Sequence, residues 1–304
     1  MSRKWFVSSD IHGFFDDWMT ALKKAGFDKD NSNHILISCG DLLDRGDEAR
    51  KCLDFAVDLM KKDRFIAVKG NHEVLLEDVF YRGYFKGYDK HNGTENTVFQ
   101  LTNIYPDNGD YFELMKDAIN TCKELPELKY YLHNCKYYYD LGQYIFVHGW
   151  LPCIVETSRK SDDSLYIEDK YRLKDDYHKV PDHYWEKEAV WVNGMKAWHD
   201  GAKINGKTIV CGHWSASFGN CNYHNNKEDN INYAILYMTA KEIEMLKSKD
   251  YKIGSKRFAK FYNKYIDTDM FTDDGIIALD ATTMLSRKVN VLVINEEDLK
   301  NHHN

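Results

Sequence analysis

Asp10-Ile11-His12, Gly40-Asp41-Leu42-Leu43-Asp44-Arg45-Gly46 and Gly70-Asn71-His72-Glu73 follow one another along the chain, with His148-Gly149 and Gly212-His213 further on. These words offer carboxylates, an amide and imidazoles, the oxygen and nitrogen donors that borderline divalent metals prefer. Arg45 and an Asp44/His72 pair are left over, and metal binding alone needs neither. The whole set suits metal-assisted hydrolysis of a phosphate ester, with ligands for a cation, a guanidinium fork for phosphate oxygens and a proton donor. Taken singly, each word is ordinary. A lone Asp-x-His is usually surface polarity, an Asp-Arg pair a weak surface ion pair, and an Asn a turn residue. Their order and spacing are what carry the reading.

Asp10 to Asp41 is 31 residues and Asp41 to Asn71 is 30, about one βαβ unit each. Residues 4–8, 34–38 and 65–68 read as short buried strands. Phe14, Trp18, Leu22 and Ala25 share one face of a helix over 14–25, and Asp47 stands where it could cap a second helix with Leu53, Val57 and Met60 inward. A third helix follows His72. Each chemical word therefore begins where a strand ends, the edge of an α/β sheet at which ligands bind.

The second half carries a hairpin pattern over 137–140 and 144–147, turning at Gly142, and apolar runs over 207–211, 276–279 and 289–294. Polar, aromatic-rich insertions occupy about 83–136, 151–185 and 219–272, the first with a helical piece over 112–122. None has a linker's composition, so the expectation is one domain over 1–304.

With 43% hydrophobic residues the 304-residue chain can bury a large core, and no apolar run approaches the length of a membrane span. The start of the chain leads into a strand rather than a signal-peptide core. Seven unpatterned cysteines fit reduced thiols and a cytoplasmic location better than a disulfide framework. A net charge of −7 argues against a dedicated nucleic-acid or anionic-membrane binder, although bound metals can still make a local phosphate site. The other histidines, the cysteines and the Tyr137-Tyr138-Tyr139 cluster read as packing.

These words together resemble the calcineurin-like metallophosphoesterase superfamily. GDxxDRG and GNHE are similar to the phosphoprotein-phosphatase branch, and most of all to compact bacterial and bacteriophage-type serine/threonine phosphatases. The resemblance is dense over 4–80 and thins to islands at 144–152, 190–200, 207–215 and 276–294. It implies a four-layer αββα sandwich with helical and loop insertions, and two divalent ions, manganese first and iron or zinc as alternatives. Asp10 and His12 would hold one ion, Asp41 would bridge, and Asn71, His148 and His213 would hold the other. Ser215 stands where many members have a further His ligand. A hydroxide between the ions would attack phosphorus in line. His72, oriented by Asp44, would protonate the leaving oxygen, and Arg45 would clamp phosphate oxygens.

The implied substrate is a phosphoprotein or small phosphoester. Two alternatives are a symmetrical dinucleoside-tetraphosphate hydrolase, whose relatives commonly lack the acid at Asp44 and carry GNHD, and a catalytically weak phosphate-recognition protein. One position departs from the branch. Where a W-x-R pattern usually supplies a second phosphate-binding Arg, Trp191-Val192-Asn193 ends in Asn, which donates a hydrogen bond but no charge. The segment 241–265, with eight basic and three acidic residues, could supply a substitute cation.

Overall fold

Alternation within the strands sets the layers. In β1 (Lys4–Ser8) Trp5 and Val7 face one core and Phe6 another, and in β2 (His34–Ser38) Ile37 and Leu36 divide the same way. Successive side chains of a strand point to opposite faces, so a strand buried on both sides reads as a continuous apolar run. The computed structural model describes residues 2–105, 111–159, 167–224 and 255–299.

One sheet has the order β11-β1-β2-β3, where β3 is Phe65–Ala67 and β11 is Leu292–Asn295; β1, β2 and β3 are parallel and β11 is antiparallel to β1. The second has the order β4-β5-β8-β10-β9, formed by β4 (Tyr139–Leu141), β5 (Tyr144–Phe146), β8 (Thr208–Cys211), β9 (Phe271–Asp273) and β10 (Ile276–Ala278). Its three central strands are parallel. Trp5, Val7, Ile37 and Cys39 of the first sheet pack against Phe146, Val210, Ile277 and Leu279 of the second.

The outer face of the first sheet is covered by α1 (Phe15–Lys24), α2 (Ala49–Met60), α3 (Asn71–Arg82), α5 (Thr94–Thr102), α6 (Tyr111–Glu124) and α7 (Pro126–Asn134), with the short α4 (Gly87–Asn92) between α3 and α5. The outer face of the second carries Trp185 of α8 (Asp182–Lys187) and Met195 and Trp198 of α9 (Gly194–His199). Helices, sheet, sheet and helices make the four expected layers. Trp18 shows how the layers lock: it is fully buried, and its indole N–H donates to Ser8 Oγ at 3.0 Å, pinning α1 to the end of β1. Truncating such a side chain typically costs about 3–5 kcal/mol.

Two expectations are corrected, and one insertion gains a shape. Asp47 does not cap α2; Glu48 takes the N-cap position without a side-chain cap, and the Ala49 N–H is satisfied from α5, by Gln100 Oε1 at 2.9 Å. The last strand begins at Leu292, not Val289, which packs in the helical core. The insertion after 151 forms a two-stranded ribbon of β6 (Cys153–Arg159) and β7 (Ile167–Leu173). Among the described residues no helix is long and apolar enough to cross a membrane.

Candidate functional site

The loops leaving β1, β2, β3, β5 and β8 meet at one edge of the two sheets. They turn too sharply for ordinary backbone: Asp10, His12, Asp41, Asp44, Arg45 and His213 all have φ between 51° and 71°. Non-glycine residues in that region are uncommon and cluster where function over-determines the backbone. The turns are tied to one another, Asp10 N–H to the Gly40 carbonyl at 3.1 Å and His12 N–H to the Asp41 carbonyl at 2.9 Å. Two glycines allow the close approach. A Cβ on Gly70 would lie 2.1 Å from Asp41 Oδ1, and one on Gly212 would lie 2.2 Å from Asp10 Oδ2.

Three histidines are prepared alike. His12 Nδ1 faces the Leu43 carbonyl at 3.2 Å, His148 Nδ1 the Cys39 carbonyl at 2.7 Å and His213 Nε2 the Trp191 carbonyl at 3.2 Å. A nitrogen facing a carbonyl must carry the proton, so the other nitrogen of each ring has its lone pair whenever that ring is neutral. Burial pushes the His12 imidazole well down and that of half-buried His213 to about 3, keeping both neutral. Burial would raise Asp41, but His148 and His72 beside it, the largest opposing causes, hold its carboxyl below the usual range. Burial pushes Asp10 up to about 6.

Asp41 lies between two clusters. Its Oδ2 is 3.7 Å from His12 Nε2 and 3.8 Å from His72 Nε2, and its Oδ1 is 3.3 Å from His148 Nε2. His12, Asp41 and His72 form one group with mutual ligand-atom distances within 4.8 Å, and Asp41, His148 and His213 form another. Asn71 Oδ1 faces His148 Nε2 at 2.8 Å. With the proton on Nδ1 and the ring neutral, lone pairs would face one another there, an arrangement that a cation would resolve. The donors present therefore fit a divalent metal in each group. Asp10 Oδ1 is 3.9 Å from His12 Nε2, within reach of the first group, and its two oxygens also accept the His213 N–H at 3.2 and 3.0 Å.

His72 differs from the other three. Its Nδ1 donates to Asp44 Oδ2 at 2.7 Å, and its Nε2 is 3.2 Å from Arg45 Nη2. Burial works against a charge on His72, but Asp41 and Asp44 outweigh it and raise its pKa. Asp44 is itself held from α5: Thr94 Oγ1 donates to its Oδ2 at 2.7 Å, and its N–H donates to Thr97 Oγ1 at 3.0 Å. Gln100 of the same helix donates to the Gly46 carbonyl at 2.8 Å. Arg45, in the middle of this turn, remains exposed.

Sequence reasoning missed those three α5 side chains and also Glu73. The buried Glu73 carboxylate accepts the N–H groups of Asp41 (2.9 Å), Leu42 (3.0 Å) and Gly70 (2.8 Å) and the hydroxyl of Tyr131 on α7 (3.1 Å). It fixes the Asp41 loop against the Asn71 loop. A signal was present, because Glu three residues after an N-cap is the capping-box position. Asn193 also reads differently. It is buried and caps α9, its Oδ1 accepting the Lys196 N–H at 3.1 Å, so a local structural duty occupies the W-x-R place. Of the basic segment, Lys241, Lys247, Lys249 and Lys252 lie outside the described residues. Its other four cations are exposed on α11 (Lys256–Tyr265), which packs through Phe258 and Tyr262 against Leu285 of α12 (Thr283–Ser286).

A family model described as calcineurin-like phosphoesterase matches residues 4–235. Serine/threonine-protein phosphatase 1 of Salmonella typhimurium is 38% identical over 73 residues, 24% of this chain and 31% of that protein. The asymmetrical bis(5'-nucleosyl)-tetraphosphatase PrpE of Bacillus velezensis is 31% identical over 136 residues, 42% of this chain and 51% of that protein. The chain thus spans about a third to a half of the length of these relatives. Among solved structures, the cold-active protein-tyrosine phosphatase of a Shewanella species aligns with a TM-score of 0.39 and 15% identity, covering 97% of this chain and 76% of that one.

Proposed function

Because the chain belongs to the calcineurin-like phosphoesterase family, whose model matches residues 4–235, we propose that it is a binuclear metal-dependent phosphomonoesterase with machinery of the serine/threonine protein phosphatase type. The observation that carries this reading is the His72–Asp44 pair at 2.7 Å, set beside Arg45 and next to two ligand groups that share Asp41.

His12, Asp41 and Asp10 would hold one ion, and Asp41, Asn71, His148 and His213 the other; manganese is the first candidate. Two such ions supply neutralisation of phosphate charge and a nucleophile from water at neutral pH. The chain's own groups do the rest. Arg45 presents a planar fork to two phosphate oxygens. Asp44 fixes the proton on His72 Nδ1 and favours the imidazolium, so that His72 Nε2–H can deliver a proton to the leaving oxygen. Glu73 holds the Asp41 and Asn71 loops at a constant separation.

A dinucleoside-tetraphosphate hydrolase is the second reading, favoured by the resemblance to PrpE. The test is an assay of the manganese-loaded protein on p-nitrophenyl phosphate, phosphopeptides and dinucleoside tetraphosphates in parallel. Turnover of the monoesters well above the tetraphosphates supports the proposal. The opposite order selects the second reading, and no turnover of any of them overturns both.

A further inference from the structure

The chain has seven tryptophans. Trp5, Trp18, Trp150, Trp185 and Trp198 are buried in the cores. The remaining two, Trp191 and Trp214, are 40% and 41% exposed, and both adjoin His213. Trp191 gives its carbonyl to His213 Nε2, and its ring stands edge-on to the His213 ring, with centroids 6.1 Å apart at 90°. Trp214 is the next residue in the chain, and its N–H turns back to the Gly212 carbonyl at 2.8 Å.

Neither indole hangs loosely in water. The Trp191 N–H donates to the Glu186 carbonyl at 2.9 Å, which fixes its ring. Trp214 rests edge-on against Phe218 of α10 (Ala216–Tyr223), centroids 5.5 Å apart at 73°. Large aromatic side chains gain most when buried, so two indoles held in place yet about 40% exposed next to His213 are candidates to contact a ligand there. With a phosphate bound at the cluster of His12, Asp41, His148 and His213, the ester's organic group would extend toward the exposed face beside His213.

Resting on the phosphoesterase reading above, we propose that Trp191 and Trp214 form an aromatic rim that selects phosphoesters with a planar aromatic group, aryl or nucleobase, over alkyl phosphates. Stacking on a fixed indole tolerates many rings, because any planar π-face fits it, and it adds binding that an alkyl chain cannot match.

The test compares the manganese-loaded full chain with Trp214→Leu and Trp191→Leu. Substrates are a phosphotyrosyl peptide, AMP, a phosphoseryl peptide of the same sequence and glycerol phosphate. For each variant, the ratio of aromatic to alkyl kcat/KM is read relative to the unchanged chain, so intrinsic leaving-group reactivity cancels. Trp214→Leu is expected to lower that ratio about tenfold. Trp191→Leu keeps the carbonyl that holds His213 and should act in the same direction. Loss on phosphotyrosine alone identifies an aryl ligand, and loss on AMP alone a nucleobase.

An unchanged ratio in both variants overturns the proposal, and a uniform loss on all substrates shows that the rings only support His213. Quenching of tryptophan fluorescence by phenylphosphonate against methylphosphonate separates the two readings. A chain that hydrolyses nothing but prefers the phenyl compound keeps the rim and loses the phosphoesterase assignment. A chain that hydrolyses monoesters without any phenyl preference does the reverse.

Discussion

On the His72 side of the cleft, nearly every polar group has a second group behind it. His72 rests on Asp44, Asp44 on Thr94 and Thr97, the Gly46 carbonyl on Gln100, and the Asp41 and Asn71 loops on Glu73, which is held in turn by Tyr131. On the His213 side the bracing reaches Asp10, from Ser9 and Thr283, and Ser215, from Thr282, rather than the His213 ring itself. His213 has one backbone carbonyl for its ring and the Asp10 carboxylate for its N–H, and two open indoles flank it. Under the proposed function the first wall would fix the proton donor and the phosphate clamp, the kind of preorganisation that transition-state chemistry requires. The second wall carries two partly exposed indoles, against which the substrate's organic part would lie under the proposal. Substitutions on the two walls should therefore differ in kind: on the first they alter rate, on the second selectivity.

The largest effect is expected from Asp41→Asn, which removes the charge shared by both ligand groups. Metal content measured after dialysis should fall, with a rate loss of several kcal/mol, about 10³-fold or more. Retention of both metals with near-normal rate would break the assignment of Asp41 as the shared ligand. Next comes His72→Asn. Esters with poor leaving groups should slow by roughly 10²–10⁴-fold, activated aryl esters less, and metal content should hold. If metal is lost as well, the grouping of His72 with His12 and Asp41 reflects ligation, and the proton donor lies elsewhere.

Thr94→Val sharpens the comparison from the insertion. It takes a donor from a buried carboxylate, which typically costs about 1–3 kcal/mol, seen as a lower melting temperature together with a lower kcat. Trp214→Leu on the other wall should leave kcat on alkyl phosphates unchanged. The smallest effect is expected from Asn193→Arg. Had that position been an empty phosphate subsite, the Arg would improve KM. As the cap of α9, the Asn is instead expected to be missed by about 1 kcal/mol, a few degrees in melting temperature, with no gain in KM. A lower KM without loss of stability would restore the subsite.

The parts legible in sequence were those that repeat a physical pattern. Residues 4–8 and 34–38 announce themselves by apolar runs ending in polar words, and His148 and His213 could be picked because each follows such a run. The bracing was not legible. Thr94, Thr97 and Gln100 are generic residues on an insertion helix, some 50 positions from the turn they hold, and no periodicity marks which hydroxyl finds a carboxylate. Asn193 misled for the opposite reason, since comparison with an Arg pattern drew attention from the simpler preference of Asn for a helix N-cap. The two open tryptophans look in sequence like the five buried ones.

The Asp10 carboxylate meets the N–H of His213 across 203 positions of sequence, and the Cys39 carbonyl meets His148 across 109. During synthesis at about 5–20 residues per second, the ribosome adds the intervening 203 residues in roughly 10–40 s. Throughout that time Asp10 and His12 lack His213, and for about the first two-thirds of it they lack His148 as well. A nascent chain can form the β1–β2–β3 sheet early and still have no complete pair of ligand groups, so any hydrolytic power arrives only once the second sheet docks on the first.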